Sequence, residues 1–313
     1  MFLEKIIHGV RQKFGRKYPR KKVLVLEGGG MRGIFLTGVL QAFTDRSYFP
    51  WKLIIGSSAG ALTGAAYATG QIHLARDAFF TKLLSGDFIH FANIIRQGKH
   101  VLDLDWMIET IIRGEEPLDE KKLKKSAPVI ITATNCPKHA HPETVYLNSR
   151  KDSISTALKA TSAIPVLYKS FVSYKDYHFL DGALLDPIPY KKALEMGYKE
   201  NEIVVIVTRP KGYRKKEESF WVRTILESYY KKQEYRHLVD LLNNRYRQYN
   251  TTRDNLENVH TGIDVIYPPK EFRVDRLTKD EKKILEGFEQ GISEGLRFLK
   301  KTTKANGRSG QPT

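Results

Sequence analysis

Cysteine is nearly absent from these 313 residues: Cys136 stands alone. One thiol excludes an intramolecular disulfide, and such usage fits a reducing compartment. His139 and His141 follow it, but one thiol and two histidines in a proline-containing loop do not make zinc spacing, and no metal or other cofactor is expected. Acidic residues are also few, 35 against 52 Lys and Arg, for a formal net charge of +17. Such a balance favours anionic surfaces, either acidic phospholipid or nucleic acid. No aromatic RNA-binding signature accompanies the charge, so nucleic acid is not expected. Leu53 to Ala75 carries no formal charge over a membrane-spanning length, yet Gly56, Gly60, Gly64 and Gly70 with Ser57, Ser58 and Thr63 make it too polar for lipid. Met1-Phe2-Leu3-Glu4 has no basic region ahead of an apolar core, so no cleavable signal peptide is expected. The expectation is a cytoplasmic protein that can meet the inner face of a membrane peripherally. No internal repeat is visible, and oligomeric state is not legible.

What is present begins with two strand–turn–helix units. Val23-Leu24-Val25-Leu26 reads as a buried parallel strand. It runs into Glu27-Gly28-Gly29-Gly30-Met31-Arg32-Gly33 and then a helical pattern through Leu36, Val39, Leu40 and Phe43. A glycine-rich loop between strand and helix presents backbone N–H groups to an anion. Gly28-x-Gly30-x-x-Gly33 also fits a dinucleotide fingerprint, but that fingerprint needs a carboxylate ending the second strand. The second strand ends at Ile55-Gly56-Ser57, and Asp45 lies before it, so the loop reads as an oxyanion cradle. Gly56-Ser57-Ser58-Ala59-Gly60 follows that strand and precedes the small-residue helix Ala61 to Ala66. A serine pushed out of such a turn needs an unusual backbone, and flanking glycines leave room for it. The helix N-terminus then sets positive partial charge beside the serine oxygen.

A third segment, Asp181-Gly182-Ala183, follows the apolar stretch Tyr177 to Leu180. Alone, Asp-Gly reads as a surface turn. With the other two it resembles the patatin-like phospholipases. Gly28 to Gly33 matches that family's oxyanion motif, Gly56 to Gly60 its nucleophile motif, and Asp181-Gly182-Ala183 its acid motif. Ala160-Thr161-Ser162-Ala163-Ile164-Pro165 resembles its Ser-Ala-x-Pro segment. The resemblance covers roughly residues 22 to 208. It implies a serine acyl hydrolase with Ser58 as nucleophile and Asp181 as its partner in a dyad, acting on phospholipid or another acyl lipid. It also implies a mostly parallel α/β sheet in a three-layer α/β/α fold. Oxyanion donors are then expected among Gly28, Gly29, Gly30 and Met31, with Ala59 as a further candidate and Arg32 bracing the loop or meeting a lipid phosphate. A triad would require a histidine after the acid; His237 and His260 lie there without a motif. Asp186 is a rival acid, read as a turn or cap residue. A non-catalytic lipid-binding protein of the same fold and a Ser-His-Asp esterase or acyltransferase stay open as alternatives.

Four regions are expected: a basic arm at 1–22, a catalytic domain at 23–208, a mainly helical region at 209–302 and a disordered tail at 303–313. The arm holds eight basic residues against Glu4, and Leu3, Ile6, Ile7, Val10 and Phe14 share one helical face. That pattern reads equally as an interfacial anchor for anionic membrane or as a docked helix. Helices are expected near 73–84, 105–112, 153–161 and 190–196, a helix or helix pair over 217–250, and strands at Val129–Thr134, Ile203–Val207 and Asp264–Tyr267. Val172 to His178 reads as a hairpin. Thr278-Lys279-Asp280-Glu281 reads as a capping box opening a last helix to about Lys300.

Overall fold

Leu24 and Leu26 of the first strand, β1 (Val23–Leu26), join one apolar cluster, while Val23 and Val25 join another. Side chains alternate across a strand, so an all-apolar run buries both faces of a sheet. Ile54 against Leu53 and Ile55 in β2 (Leu53–Ser57), and Val204 and Ile206 against Ile203 and Val205 in β7 (Ile203–Ile206), divide the same way. The computed structural model describes residues 21–94, 96, 98–230 and 234–307. Its eight-stranded sheet also contains β3 (Val129–Asn135), β4 (Glu143–Asn148), β5 (Val172–Tyr174), β6 (Tyr177–Asp181) and β8 (Asp264–Ile266). The order is β5-β6-β3-β2-β1-β7-β8, with β4 pairing β3. Strands β3, β2, β1, β7 and β8 are parallel, β4 and β6 run against them, and β5, antiparallel to β6, points the same way as β3.

One detail of register positions the site. Strand β4 takes one edge of β3 along Ile130–Asn135. Strands β2 and β6 therefore share the other edge: β2 ends with Ser57 opposite Thr132, and β6 ends with Asp181 opposite Ala133. The two strands arrive from opposite directions and stop at adjacent rungs.

One face of the sheet carries α1 (Gly33–Asp45), α2 (Ala59–Ala68), α3 (Ile72–Phe80) and a long final helix, which together bury Phe35, Leu40, Tyr67, Phe79 and Ile284. The other carries a helix at Tyr190–Glu195 and the second half of the helix Arg236–Glu257, through Ala193, Tyr249 and Leu256. The expected three-layer architecture is thus present. The 217–250 expectation resolves into a pair, Phe220–Tyr229 and Arg236–Glu257. The exposed-edge strand β4 is an element the sequence reading did not anticipate.

Three boundaries differ from expectation. Lys21 and Lys22 belong to the domain: Lys21 pairs with Asp264 at 2.8 Å, and Lys22 pairs with Glu202. The rest of the basic arm, residues 1–20, lies outside the described residues. The last helix runs over Glu281–Gly307, so 303–307 continues it, and the end of the expected tail is not described. Asp280 caps it, its Oδ1 accepting the Lys283 N–H at 3.2 Å, while Thr278 Oγ1 accepts the Asp275 N–H instead of closing a capping box.

Candidate active site

The turn through Ser58 follows the carboxyl end of β2. Ser58 has φ 50° and ψ −126°, a conformation uncommon for a residue with a side chain. Its strain is held by neighbours: the Ser58 N–H donates to Thr161 Oγ1 at 2.7 Å, and its carbonyl accepts the N–H of Ala61 at 2.9 Å. A Cβ at Gly60 would lie 2.5 Å from the Leu26 carbonyl oxygen, so helix α2 can approach β1 this closely only with glycine there.

Asp181 closes the pair. Ser58 Oγ donates to Asp181 Oδ2 at 3.0 Å, and Oδ1 accepts the Ala183 N–H at 2.7 Å. The Asp181 backbone is fixed from both sides, its N–H on the Ala163 carbonyl and its own carbonyl on Thr134 Oγ1, each at 2.9 Å. Gly182 lies so close to β3 that a Cβ would stand 2.2 Å from the Thr132 oxygen. The segment Ala160 to Pro165 therefore anchors both halves, through Thr161 to Ser58 and through Ala163 to Asp181. Burial raises the pKa of Asp181; the Ala183 N–H, then Arg276, Ser58 and Arg245, act against that rise.

The glycine loop borders the same cleft through Gly28, Gly29 and Gly30. Gly28 spends its N–H on the Pro187 carbonyl at 3.2 Å, and Met31 spends its own on the Arg276 carbonyl at 3.0 Å. The N–H groups of Gly29, Gly30 and Ala59 make no hydrogen bond among the described residues. This narrows the free donors expected in the loop to Gly29 and Gly30. Gly33 opens α1, at its contact with Phe79 and Ala59. Arg32 is buried, reaches Thr208 Oγ1 with Nε at 3.5 Å and has its pKa pushed down to about 10 by burial.

No histidine lines the cleft among the described residues. His237 lies against His141, ring centres 3.8 Å apart, and the His260 N–H bonds Asn258. Asp186 faces away, accepting the Tyr146 hydroxyl at 2.9 Å. Cys136 is buried, burial raises its pKa, and no group of three metal-ligating side chains occurs among the described residues. An apolar cleft with an empty volume of about 550 Å³ opens beside Ser58, lined by Leu62, Phe79, Phe88, Leu104 and Met107.

Comparison with known proteins now places the chain. The family model described as "Patatin-like phospholipase" matches residues 24–194, more than half its length. The chain belongs to the patatin-like phospholipase family. A second model, "Domain of unknown function (DUF6363)", matches residues 235–305. Relatives of this patatin-like protein include the uncharacterized protein YjjU of Escherichia coli (strain K12), 29% identical over 90% of this chain and 78% of that one. The probable lipid hydrolase 463L of Invertebrate iridescent virus 6 is 25% identical over 62% of this chain and 71% of its own. VipD from Legionella pneumophila shares the fold, with a TM-score of 0.53 and 16% identity over 91% of this chain and 67% of its own. Family membership supports lipid hydrolase activity. No helix among the described residues is long and apolar enough to cross a membrane.

Motif reading missed the residues that brace the patatin-like loop from outside. Glu27, buried next to Gly28, accepts the Thr208 N–H at 2.5 Å and the Tyr249 hydroxyl at 2.9 Å. Arg253, fully buried, donates to Tyr249 and to Glu257. A glutamate ending a buried strand was the available signal; its partners are 181 and 222 positions away.

Proposed function

We propose that this protein is a serine acyl hydrolase that cleaves carboxylic esters of phospholipids or other acyl lipids with a Ser58–Asp181 dyad. The observation that carries the reading is the 3.0 Å hydrogen bond from Ser58 Oγ to Asp181 at a strained elbow, with no histidine in the cleft among the described residues. Asp181 accepts the Ser58 proton as Oγ attacks the ester carbonyl. The tetrahedral oxyanion draws on the unspent N–H groups of Gly29, Gly30 and Ala59. Collapse expels the alcohol, which takes the proton back from Asp181, and leaves an acyl-serine. Water, deprotonated by Asp181, releases the fatty acid and restores Ser58. One oxyanion donor contributes about 3–4 kcal/mol to the transition state.

The test pairs fluorophosphonate labelling with turnover of a p-nitrophenyl ester. Ser58→Ala is expected to abolish both while folding normally, and Asp181→Asn to lower turnover at least as far as any histidine substitution. Undiminished turnover by Ser58→Ala would sink the enzymatic reading. A dead, well-folded His237→Ala beside an active Asp181→Asn would sink the dyad.

Peripheral contact with anionic membrane belongs to the same proposal. Phe220 and Trp221 are 72% and 74% exposed on the helix Phe220–Tyr229, and Ile225 of that helix also lines a second apolar groove by the cleft. Exposed aromatics beside an apolar groove, on a chain of net charge +17, fit an anionic bilayer surface.

A further inference from the structure

We propose that the C-terminal region completes the cleft with a cationic subsite, Arg245 and Arg276, which takes the phosphate of an anionic acyl ester. The inference rests on the hydrolase reading and deepens it. Arg245 comes from the helix Arg236–Glu257, and Arg276 from the segment between β8 and the last helix. Both line the cavity that holds Ser58 and Asp181. Both also line the second apolar groove, of about 630 Å³ empty volume, formed with Leu167, Ile225 and Leu242. Arg276 borders the first apolar cleft as well. The two guanidinium groups thus stand where two apolar spaces meet the nucleophile.

Arg276 is placed by its backbone. Its carbonyl receives the Met31 N–H at 3.0 Å and would touch any Cβ on Gly30, at 2.6 Å. Its guanidinium makes no hydrogen bond and no ion pair among the described residues. Arg245 pairs with Glu218. Arg32 is a further buried cation close to Arg276, its pKa pushed down to about 10 by burial. Asp181 is the carboxylate the catalytic step must keep for its proton. Two arginines thus line the cavity against one carboxylate, Asp181, with Glu218 the further acid that acts on Arg276. A desolvated cation without a counter-charge is costly, and an incoming anion removes that cost.

The shape selects which anion. A guanidinium fork matches phosphate oxygens two at a time, which an ammonium cannot do. A glycerophospholipid carries its phosphate a few bonds from the scissile ester, with apolar chain beyond. The cavity brings those features together: apolar cleft, Ser58 and two arginines. Neutral acylglycerols would leave the arginines unanswered.

The experiment uses the full chain with 1-dodecanoylglycerol 3-phosphate and 1-dodecanoylglycerol. Wild type is expected to favour the phosphate ester by about ten-fold or more in kcat/KM, the scale of a charge-assisted pair. Arg276→Gln should collapse that ratio mainly through KM, Arg276→Lys should restore part of it, and Arg245→Gln should lower it less. Equal kcat/KM for the two esters in wild type, or equal losses on both in Arg276→Gln, would overturn the proposal. A second arm is independent of turnover. Ser58→Ala protein is titrated calorimetrically with dodecyl phosphate and with inorganic phosphate. Dodecyl phosphate should bind more tightly, and about ten-fold more weakly once Arg276→Gln is added. Inorganic phosphate binding as tightly would overturn the lipid assignment. Binding of dodecyl phosphate with neither ester hydrolysed would uphold the subsite and sink the hydrolase reading. Hydrolysis without phosphate preference or dodecyl phosphate binding would do the reverse.

Discussion

Asp181 carries two opposed consequences of burial. A carboxyl whose pKa is raised in the folded state holds its proton more tightly there than in the unfolded chain. Its contribution to stability is therefore present in acid and lost as pH rises through the folded pKa. Ionised Asp181 costs stability near neutrality, and the same ionised form is the one that takes the Ser58 proton in the proposed dyad. Turnover of a neutral ester should accordingly rise with pH along an acidic limb above the ordinary carboxylate value. Asp181→Asn should melt higher than wild type near neutrality, with the difference closing as acid protonates the wild-type carboxyl. Thermal melts and turnover over one pH series check both. A limb at the ordinary value, or an Asp181→Asn protein that melts lower near neutrality, would show that burial is not what sets the behaviour of this group.

Two helices decide whether the loop above them is held. The last helix crosses α1 so closely that a Cβ on Gly291 would lie 2.3 Å from the Phe35 carbonyl, and one on Gly38 2.2 Å from that of Phe288. Glycine in a helix interior ordinarily costs about 1 kcal/mol against alanine. Here it permits backbone contact that covers Ile34, Phe35 and Val39. Substituting Gly291→Ala should therefore destabilise rather than stabilise, by about 1–3 kcal/mol from overpacking. Urea unfolding measures this, and a gain in stability would mean the helices can separate without loss. The effect should reach the cleft, because α1 begins where the glycine loop ends.

At the scale of the whole molecule, the charge and the exposed aromatics are expected to cooperate at a lipid surface. Replacing Phe220 and Trp221 together by serine should weaken co-sedimentation with anionic vesicles at high salt. Added salt should weaken it further, since exposed charges are screened over about 8 Å at physiological ionic strength. Turnover of a soluble short-chain ester should persist, because neither side chain lines the Ser58 cleft. Equal vesicle binding by the two proteins would remove this helix from the membrane contact. Loss of soluble-ester turnover would assign the helix to the fold instead.

The amino-acid sequence by itself determined the parts of this protein that depend on local backbone. Strands buried on both faces read as unbroken apolar runs, and the elbow at Ser58 and the turn at Asp181-Gly182 need glycine at fixed offsets. Those requirements span a few residues, so spacing alone exposes them. Tertiary structure decided what meets what. Strands β2 and β6 end on adjacent rungs of β3 only because β4 occupies the other edge. Tyr249 reaches Glu27 across 222 positions, and Arg276 enters the cleft from a segment with no motif. A lone arginine or tyrosine is compatible with many surroundings, and its partner is fixed by packing of the whole chain. The same holds for Gly28 and Met31, whose N–H groups look free in the motif and are spent on Pro187 and Arg276 in the fold.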